Sequence, residues 1–169
     1  MREIIRFAWG TSSLGDFVVA MSDKGIVALE FSSMHTAMEE ALRIRFPDAH
    51  LERHQEELAD VMAIVAGVID DPAADCDLPL DLRGTPYEVK VWLMLREVPA
   101  GQTTTYGALA AKLGRQDPRS VTAAIAGNPI AVIVPCHRVI RKDGSISGYR
   151  WGIRRKRTLL AREQRSTEH

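Results

Sequence analysis

Apolar positions alternate loosely along residues 4–9, and again along 15–21 and 26–31, the two-residue period of half-buried strands. Ser22-Asp23-Lys24-Gly25 separates the last two and reads as a glycine-containing hairpin turn. From residue 34 to 46 the period lengthens. Met34, Ala37, Met38, Ala41, Leu42 and Ile44 recur roughly as on a helix, with Pro47 just beyond its end. Leu58, Val61, Met62, Val65, Val68 and Ile69 form a cleaner amphipathic helix, broken by Asp70-Asp71-Pro72. Residues 70–77 then read as an acidic loop and 78–82 as a returning strand.

A second unit begins at Gly84-Thr85-Pro86, where Thr85 can cap a helix and Pro86 suits its first turn. Val89, Val91, Trp92, Leu95 and Val98 fill that helix, and Pro99-Ala100-Gly101 ends it. A short helix is expected from Tyr106 to Leu113, a turn over 114–118, and a second short helix over 119–126, which together read as a helix-turn-helix. The apolar run Ile130 to Val134 has the length and β-branched content of a short buried strand, stopped by Pro135, which cannot donate to a ladder. A last helix delivers Glu163. The pattern predicts an α/β protein of two units, residues 1–83 and 84–169.

Composition sharpens the picture. With 46% hydrophobic residues the 169-residue chain can build a core without disulfides, and no window approaches the roughly 20 apolar residues of a membrane span. No long apolar stretch follows Met1-Arg2-Glu3, so no signal peptide is expected. The net charge of zero conceals a division. Residues 1–84 hold 7 Lys+Arg against 16 Asp+Glu, net −9, and residues 85–169 hold 15 against 6, net +9. A basic half of this kind suits a polyanionic partner. The second helix of the pair adds to this, because Ser120, Thr122, Ala123, Ala124, Ala126 and Gly127 are small and only Arg119 is long and cationic. A reader of base edges would present Arg, Asn or Gln. Small residues instead allow close approach to sugar-phosphate surfaces, or simply tight packing in a core.

The chemistry concentrates in Val134-Pro135-Cys136-His137-Arg138-Val139. A thiolate is a strong nucleophile, and neighbouring positive charge or a helix N-terminus lowers a thiol's pKa. Consecutive residues do not face each other on a helix, so Cys136 and His137 would communicate through a water rather than directly. Alone, a cysteine after an apolar segment reads better as a small buried hydrophobe, with its histidine neighbour a surface residue. The flanks alter this, for Asn128 lies eight residues before Cys136, Tyr149 thirteen after it within Gly148-Tyr149-Arg150-Trp151-Gly152, and Glu163 further on. The two cysteines, Cys76 and Cys136, form no CxxC pair, which argues against a structural zinc site. A free thiolate would suit a reducing cytoplasm.

This set, from about Gly84 to Glu163, resembles the O6-alkylguanine-DNA alkyltransferases, in particular the alkyltransferase domain of bacterial Ada. The resemblance implies a ribonuclease-H-like N-terminal scaffold and a C-terminal, mainly helical winged-helix or helix-turn-helix domain. It implies transfer of an alkyl group from O6-alkylguanine, and in some relatives O4-alkylthymine, to Cys136. The nucleotide would be flipped out of double-stranded DNA, each protein would repair once, and neither cofactor nor metal would be needed. His137 and Glu163 match the partners that activate Cys136 through water; Asn128 matches the hinge asparagine, and Tyr106 the tyrosine that donates to guanine N3. Arg119 matches the residue that fills the vacated stack, with Ser120, Thr122, Ala123 and Arg138 expected at the DNA. Tyr149, Arg150, Val139 and Trp151 would wall the base pocket. A monomer in the cytoplasm, associated with the nucleoid, is expected. Two other classes share these features, a Cys-His hydrolase and a non-catalytic alkyltransferase-like damage binder; the first needs direct imidazole–thiol contact, and the second lacks the thiol.

Overall fold

The computed structural model describes residues 2–114 and 119–167. Three strands, β1 (Glu3–Ser12), β2 (Gly15–Ser22) and β3 (Gly25–Phe31), form an antiparallel meander. Helix α1 (His35–Arg45) then leads to β4 (Ala49–Arg53), which lies parallel to β1 and completes a sheet of order β3-β2-β1-β4. Helix α2 (Ala59–Asp70) follows. Strand β4 was not expected. Its five residues bury only Ala49 and Leu51 between polar neighbours, too short an alternation to stand out.

Each face of the sheet is apolar. One buries Ile5, Phe7, Val18 and Ala20 with Leu42 of α1 and Phe46 just beyond its end. The other buries Ala8, Phe17, Val19 and Leu29 against Met62, Val65 and Ile69 of α2, and this layer runs without interruption into the second half of the chain. There, α3 (Pro86–Arg96) starts with the expected Thr85 cap and Pro86, and Glu88 completes a capping box: Glu88 N–H donates to Thr85 Oγ1 at 3.1 Å, and Thr85 N–H donates to Glu88 Oε1 at 2.9 Å. Helices α4 (Tyr106–Lys112) and α5 (Arg119–Ala126) pack together, and Trp92 Nε1 donates to the Ala124 carbonyl at 2.9 Å to tie α3 to α5. The turn predicted between α4 and α5 lies, beyond Gly114, outside the described residues. A two-residue parallel ladder joins β5 (Thr104–Thr105) to β6 (Val139–Ile140), and α6 (Ile153–Thr167) closes the chain.

Two expected strands are corrected. Residues 78–82 contribute one bridge, Leu80 to Ile26, and residues 130–134 one bridge, Ile130 to Leu29. Both segments cover the outer edge of β3: Ile26 N–H donates to Pro79 O (2.9 Å) and Leu29 N–H to Pro129 O (2.9 Å). Past Ile130 the chain turns twice in quick succession. Ile133 N–H closes on Ala131 O (2.7 Å) around Val132, whose φ is +66°, and Cys136 N–H closes on Val134 O (2.8 Å) around Pro135. The first is the strained form of γ-turn, and a β-branched residue at positive φ costs about 1–3 kcal/mol. The apolar run signalled burial, which it has, and not extension.

Gly25 sits at φ +150°, and a Cβ there would strike the Pro79 carbonyl. Gly25→Ala should therefore destabilise by more than about 1 kcal/mol in urea unfolding, whereas Gly107→Ala, on a helix with open space around it, should stabilise slightly. Equal unfolding midpoints for the two variants would show that the β3 edge is not closely packed.

Candidate active site

The segment around Cys136 has little secondary structure of its own, so other elements hold it. A 3-10 turn, Cys136–Arg138, follows the second γ-turn, and Cys136 itself is 4% exposed. Asn128, fully buried, spans the loop: its Nδ2 donates to Val134 O (2.9 Å) and to Cys136 Sγ (3.2 Å), while its Oδ1 accepts from Ile130 N–H (2.9 Å). Asn128 thus ties the loop before the cysteine to the cysteine itself.

Beneath the turn lies Glu163 of α6, 1% exposed. Its Oε1 accepts from His137 Nε2 at 2.6 Å and from Arg138 Nε at 2.9 Å. Burial disfavours the Glu163 charge, yet the hydrogen bonds and charges of His137 and Arg138 hold its carboxyl below the ordinary value. Burial also lowers His137, against the pull of Glu163. A neutral imidazole bonded to a carboxylate keeps its proton on Nε2, which leaves Nδ1 as the basic nitrogen. Nδ1 is buried with no hydrogen-bond partner among the described residues. Burial pushes the Cys136 thiol up to about 11, only partly offset by the Asn128 bond and the charges of Lys156 and Arg150. The resting group is thus a thiol, and proton removal must accompany attack.

Cys136 forms part of the floor of a cavity of about 540 Å³, lined also by Tyr106, Ser147, Gly148, Tyr149 and Arg150 and, on the α5 side, by Thr122, Ile125 and Ala126. The volume is within the range of small-molecule sites. The cavity brings Tyr106, Tyr149 and Arg150 together with Cys136. Trp151 does not line this cavity; it is buried behind it, edge-on to Tyr149 with ring centroids 5.3 Å apart. Val139 is likewise buried outside the lining, and its carbonyl accepts from Lys156 Nζ at 2.6 Å.

Arg119, Ser120, Thr122 and Ala123 stand on the exposed face of α5, whose inner face buries Val121, Ala124 and Ile125. Arg138 departs from the expectation of a DNA contact. It is 8% exposed, and its guanidinium is taken up by Glu163, by Val98 O (2.6 Å) and by Pro72 O (3.3 Å). Sequence spacing places a residue near the cysteine but does not say which way it points.

Three residues of the site were missed. Lys156 and Ser147 are buried beside the cavity, with Lys156 Nζ donating to Ser147 Oγ at 2.9 Å. Glu30 of β3, 2% exposed, pairs with Arg150 (2.8 Å) and Arg45 (2.7 Å), and Arg150 also donates to Asn128 O (2.8 Å). A glutamate within the apolar run of β3 was the available signal for Glu30. Among the described residues, no group of three or more His, Cys, Asp or Glu side chains is arranged to hold a metal ion, and no helix is long and apolar enough to cross a membrane.

Comparison with known proteins identifies the family. A family model described as the DNA binding domain of 6-O-methylguanine DNA methyltransferase matches residues 86–165. The chain is 37% identical over 172 residues to the bifunctional transcriptional activator/DNA repair enzyme Ada of Escherichia coli (strain K12), covering 97% of this chain and 47% of Ada, so it spans about half the length of that relative. It is 39% identical over 145 residues to a methylated-DNA--protein-cysteine methyltransferase of Salmonella typhimurium, covering 80% of this chain and 81% of the other. The fold matches the crystal structure of Mycobacterium tuberculosis OGT in complex with DNA with a TM-score of 0.79 at 30% identity, covering 95% and 93% of the two chains. With most of both chains aligned in sequence and in fold, the chain belongs to the 6-O-methylguanine DNA methyltransferase family.

Proposed function

We propose that this protein repairs double-stranded DNA by moving the alkyl group of O6-alkylguanine onto Cys136 Sγ, once per molecule. The observation that carries the proposal is the placement of a buried thiol in the floor of a base-sized cavity, next in sequence to a neutral imidazole whose Nε2 is fixed by Glu163. In the step, Sγ attacks the alkyl carbon in line with its bond to O6. The S–C bond forms, the C–O6 bond breaks, and its electron pair passes into the purine. The thiol proton goes to His137 Nδ1 through water, and the imidazolium so formed is stabilised by the Glu163 carboxylate. Tyr106 donates a hydrogen bond to the departing guanine as it gains charge, and the guanine completes its valence with a proton from solvent. The thioether product is not hydrolysed, which makes the reaction stoichiometric.

Residues 1–83 are read as a ribonuclease-H-like scaffold and 84–169 as the alkyltransferase domain, in which α4 and α5 form the helix-turn-helix. The small residues on the exposed face of α5 would lie close along the sugar-phosphate surface, and Arg119 would fill the stack left by the extruded nucleotide. The protein would act as a cytoplasmic, nucleoid-associated monomer. A Cys-His hydrolase is less well supported, because no hydrogen bond joins Cys136 Sγ directly to the imidazole among those of the described residues.

Incubation with O6-methylguanine duplex tests the proposal. Intact-mass measurement should show one methylene's mass added, located on the Cys136 peptide. Cys136→Ser should take up nothing yet still bind DNA; label on Cys76, or repeated turnover, would refute it. The acid side of the pH profile is a second check. Since burial keeps His137 below its usual 6.5, the base is neutral at pH 7. The transfer rate should stay level as pH falls from 7 to 6.5 and decline only at lower pH. A midpoint at or above 6.5 would mean that His137 is not held neutral. For Arg119→Ala, repair in duplex should fall about tenfold for each 1.4 kcal/mol lost from the extrahelical state, with little change in the reaction of free O6-benzylguanine. Equal losses on both substrates, with a lowered Tm, would assign Arg119 to helix packing instead.

A further inference from the structure

Lys156 is a buried cation that the alkyl-transfer step above does not use. It lies on α6, 1% exposed, and among the described residues no carboxylate pairs with it. Its donors go to Val139 O (2.6 Å), Ser147 Oγ (2.9 Å) and Gly148 O (3.5 Å). Removing an ammonium from water without a counter-ion is expensive. If Lys156 served only to staple residues 139 and 148, its positive charge would add cost without adding a bond. Burial lowers its pKa to about 8, as expected for such a placement.

What the charge does add is direction. An ammonium has donors and no acceptor, so at the Lys156–Ser147 contact the serine oxygen must accept. The Ser147 proton then has to go elsewhere, and its short contact is with the Tyr106 hydroxyl at 2.6 Å; the alternative, Val139 O, is 3.5 Å away. With its oxygen accepting from Ser147, Tyr106 must place its own proton elsewhere, and Tyr106 lines the cavity that holds Cys136. Ser147 Oγ has a second lone pair and Val139 O within reach of its proton, but a cation bonded to that oxygen makes Ser147 the poorer acceptor and the better donor of the serine–tyrosine pair. Without the lysine that bias is gone, and Tyr106 could as readily spend its proton on Ser147.

The geometry points to Lys156 and Ser147 as positioning residues that orient the hydrogen-bond chain Lys156→Ser147→Tyr106 so that the phenol donates into the base cavity. This rests on the alkyl-transfer reaction proposed above, and it concerns the leaving purine rather than the nucleophile. No hydrogen bond joins Lys156 to Cys136 Sγ among those of the described residues. A purine ring nitrogen that gains charge as the C–O6 bond breaks would meet a donor already turned toward it, with no reorganisation during the step.

The test uses the full-length protein, with single-turnover rates on O6-methylguanine duplex and, in parallel, the rate at which iodoacetamide alkylates Cys136. Iodide departs without help from a protein donor, so the second reaction reports on the thiol alone. Ser147→Ala should slow transfer about tenfold, Ser147→Thr should restore most of the rate, and the iodoacetamide rate should stay at the wild-type value in both. Tyr106→Phe combined with Ser147→Ala should be no slower than Tyr106→Phe alone, because both act on one donor. Lys156→Met should lose about as much as Ser147→Ala, and not add to it, once its transfer rate is divided by its own iodoacetamide rate, because the Lys156 charge also acts on the Cys136 thiol; if that variant fails to fold, the serine variants decide. Losses that multiply in the double variant, a wild-type transfer rate in Ser147→Ala, or an iodoacetamide rate that falls in parallel would each overturn the assignment. Wild-type protein that is labelled by iodoacetamide but leaves O6-methylguanine intact would instead overturn the parent reaction.

Discussion

The site depends on how a strand-less loop is kept rigid. Residues 127–135 contain two tight turns and a valine at positive φ, and they form no ladder beyond a single bridge. Left to itself, such a segment would sample many shapes at an entropic cost of about 1–2 kcal/mol per ordered residue. Leu29 settles it: its N–H donates to Pro129 O and its carbonyl accepts from Ala131 N–H, both at 2.9 Å. The next residue, Glu30, reaches Arg150 on the far wall of the cavity, and Arg150 returns to the Asn128 carbonyl. One strand of the N-terminal sheet therefore fixes both the loop that carries the thiol and the loop that faces it. That half holds none of the chemistry and yet sets its geometry.

Electrostatics in the site are arranged around groups kept in their less reactive forms. Burial holds Cys136 as a thiol and His137 as a neutral base, whereas Glu163 is held charged by its partners. A low-pKa thiolate would react with any passing oxidant or electrophile. In the proposed reaction, where the nucleophile acts once, that would be wasteful. A thiol that loses its proton only when a base is engaged is protected from such losses, at the expense of intrinsic speed. The arrangement shifts the burden of catalysis toward alignment and toward help for the leaving group.

Some of this was legible in the chain and some was not. The helices declared themselves through period and caps: Thr85-Pro86 is a start signal that needs no tertiary context. Cys136, His137, Asn128 and Glu163 were picked out because their set resembles the alkyltransferases, and the structure brings the four together. Side-chain direction was not legible. Arg138 follows His137 and was expected at the DNA, but it turns inward because Glu163, Val98 O and Pro72 O, from three remote segments, supply its partners. Lys156 escaped notice for the same reason. In an arginine- and lysine-rich helix one buried cation looks like its solvated neighbours, and only the fold shows which carbonyls surround it. The run 130–134 was misread because hydrophobicity reports burial, and burial by an edge contact leaves the backbone free to turn.

The charge division acquires a physical meaning once the cavity is placed. Its rim includes Thr122, Ile125 and Ala126, so the helix proposed to lie along DNA is also the entrance to the site. Arg119 stands at the N-terminal end of that helix, and the exposed positions that follow it are serine, threonine and alanine. A bulky or base-reading residue there would hold the duplex away and lengthen the path of an extruded nucleotide, or make entry depend on sequence. Small side chains remove both obstacles but supply little attraction. The attraction must then come from charge that does not discriminate among bases, and the excess of nine positive charges in residues 85–169 is of that kind. Close approach and sequence indifference are thus two consequences of one choice of residues on α5.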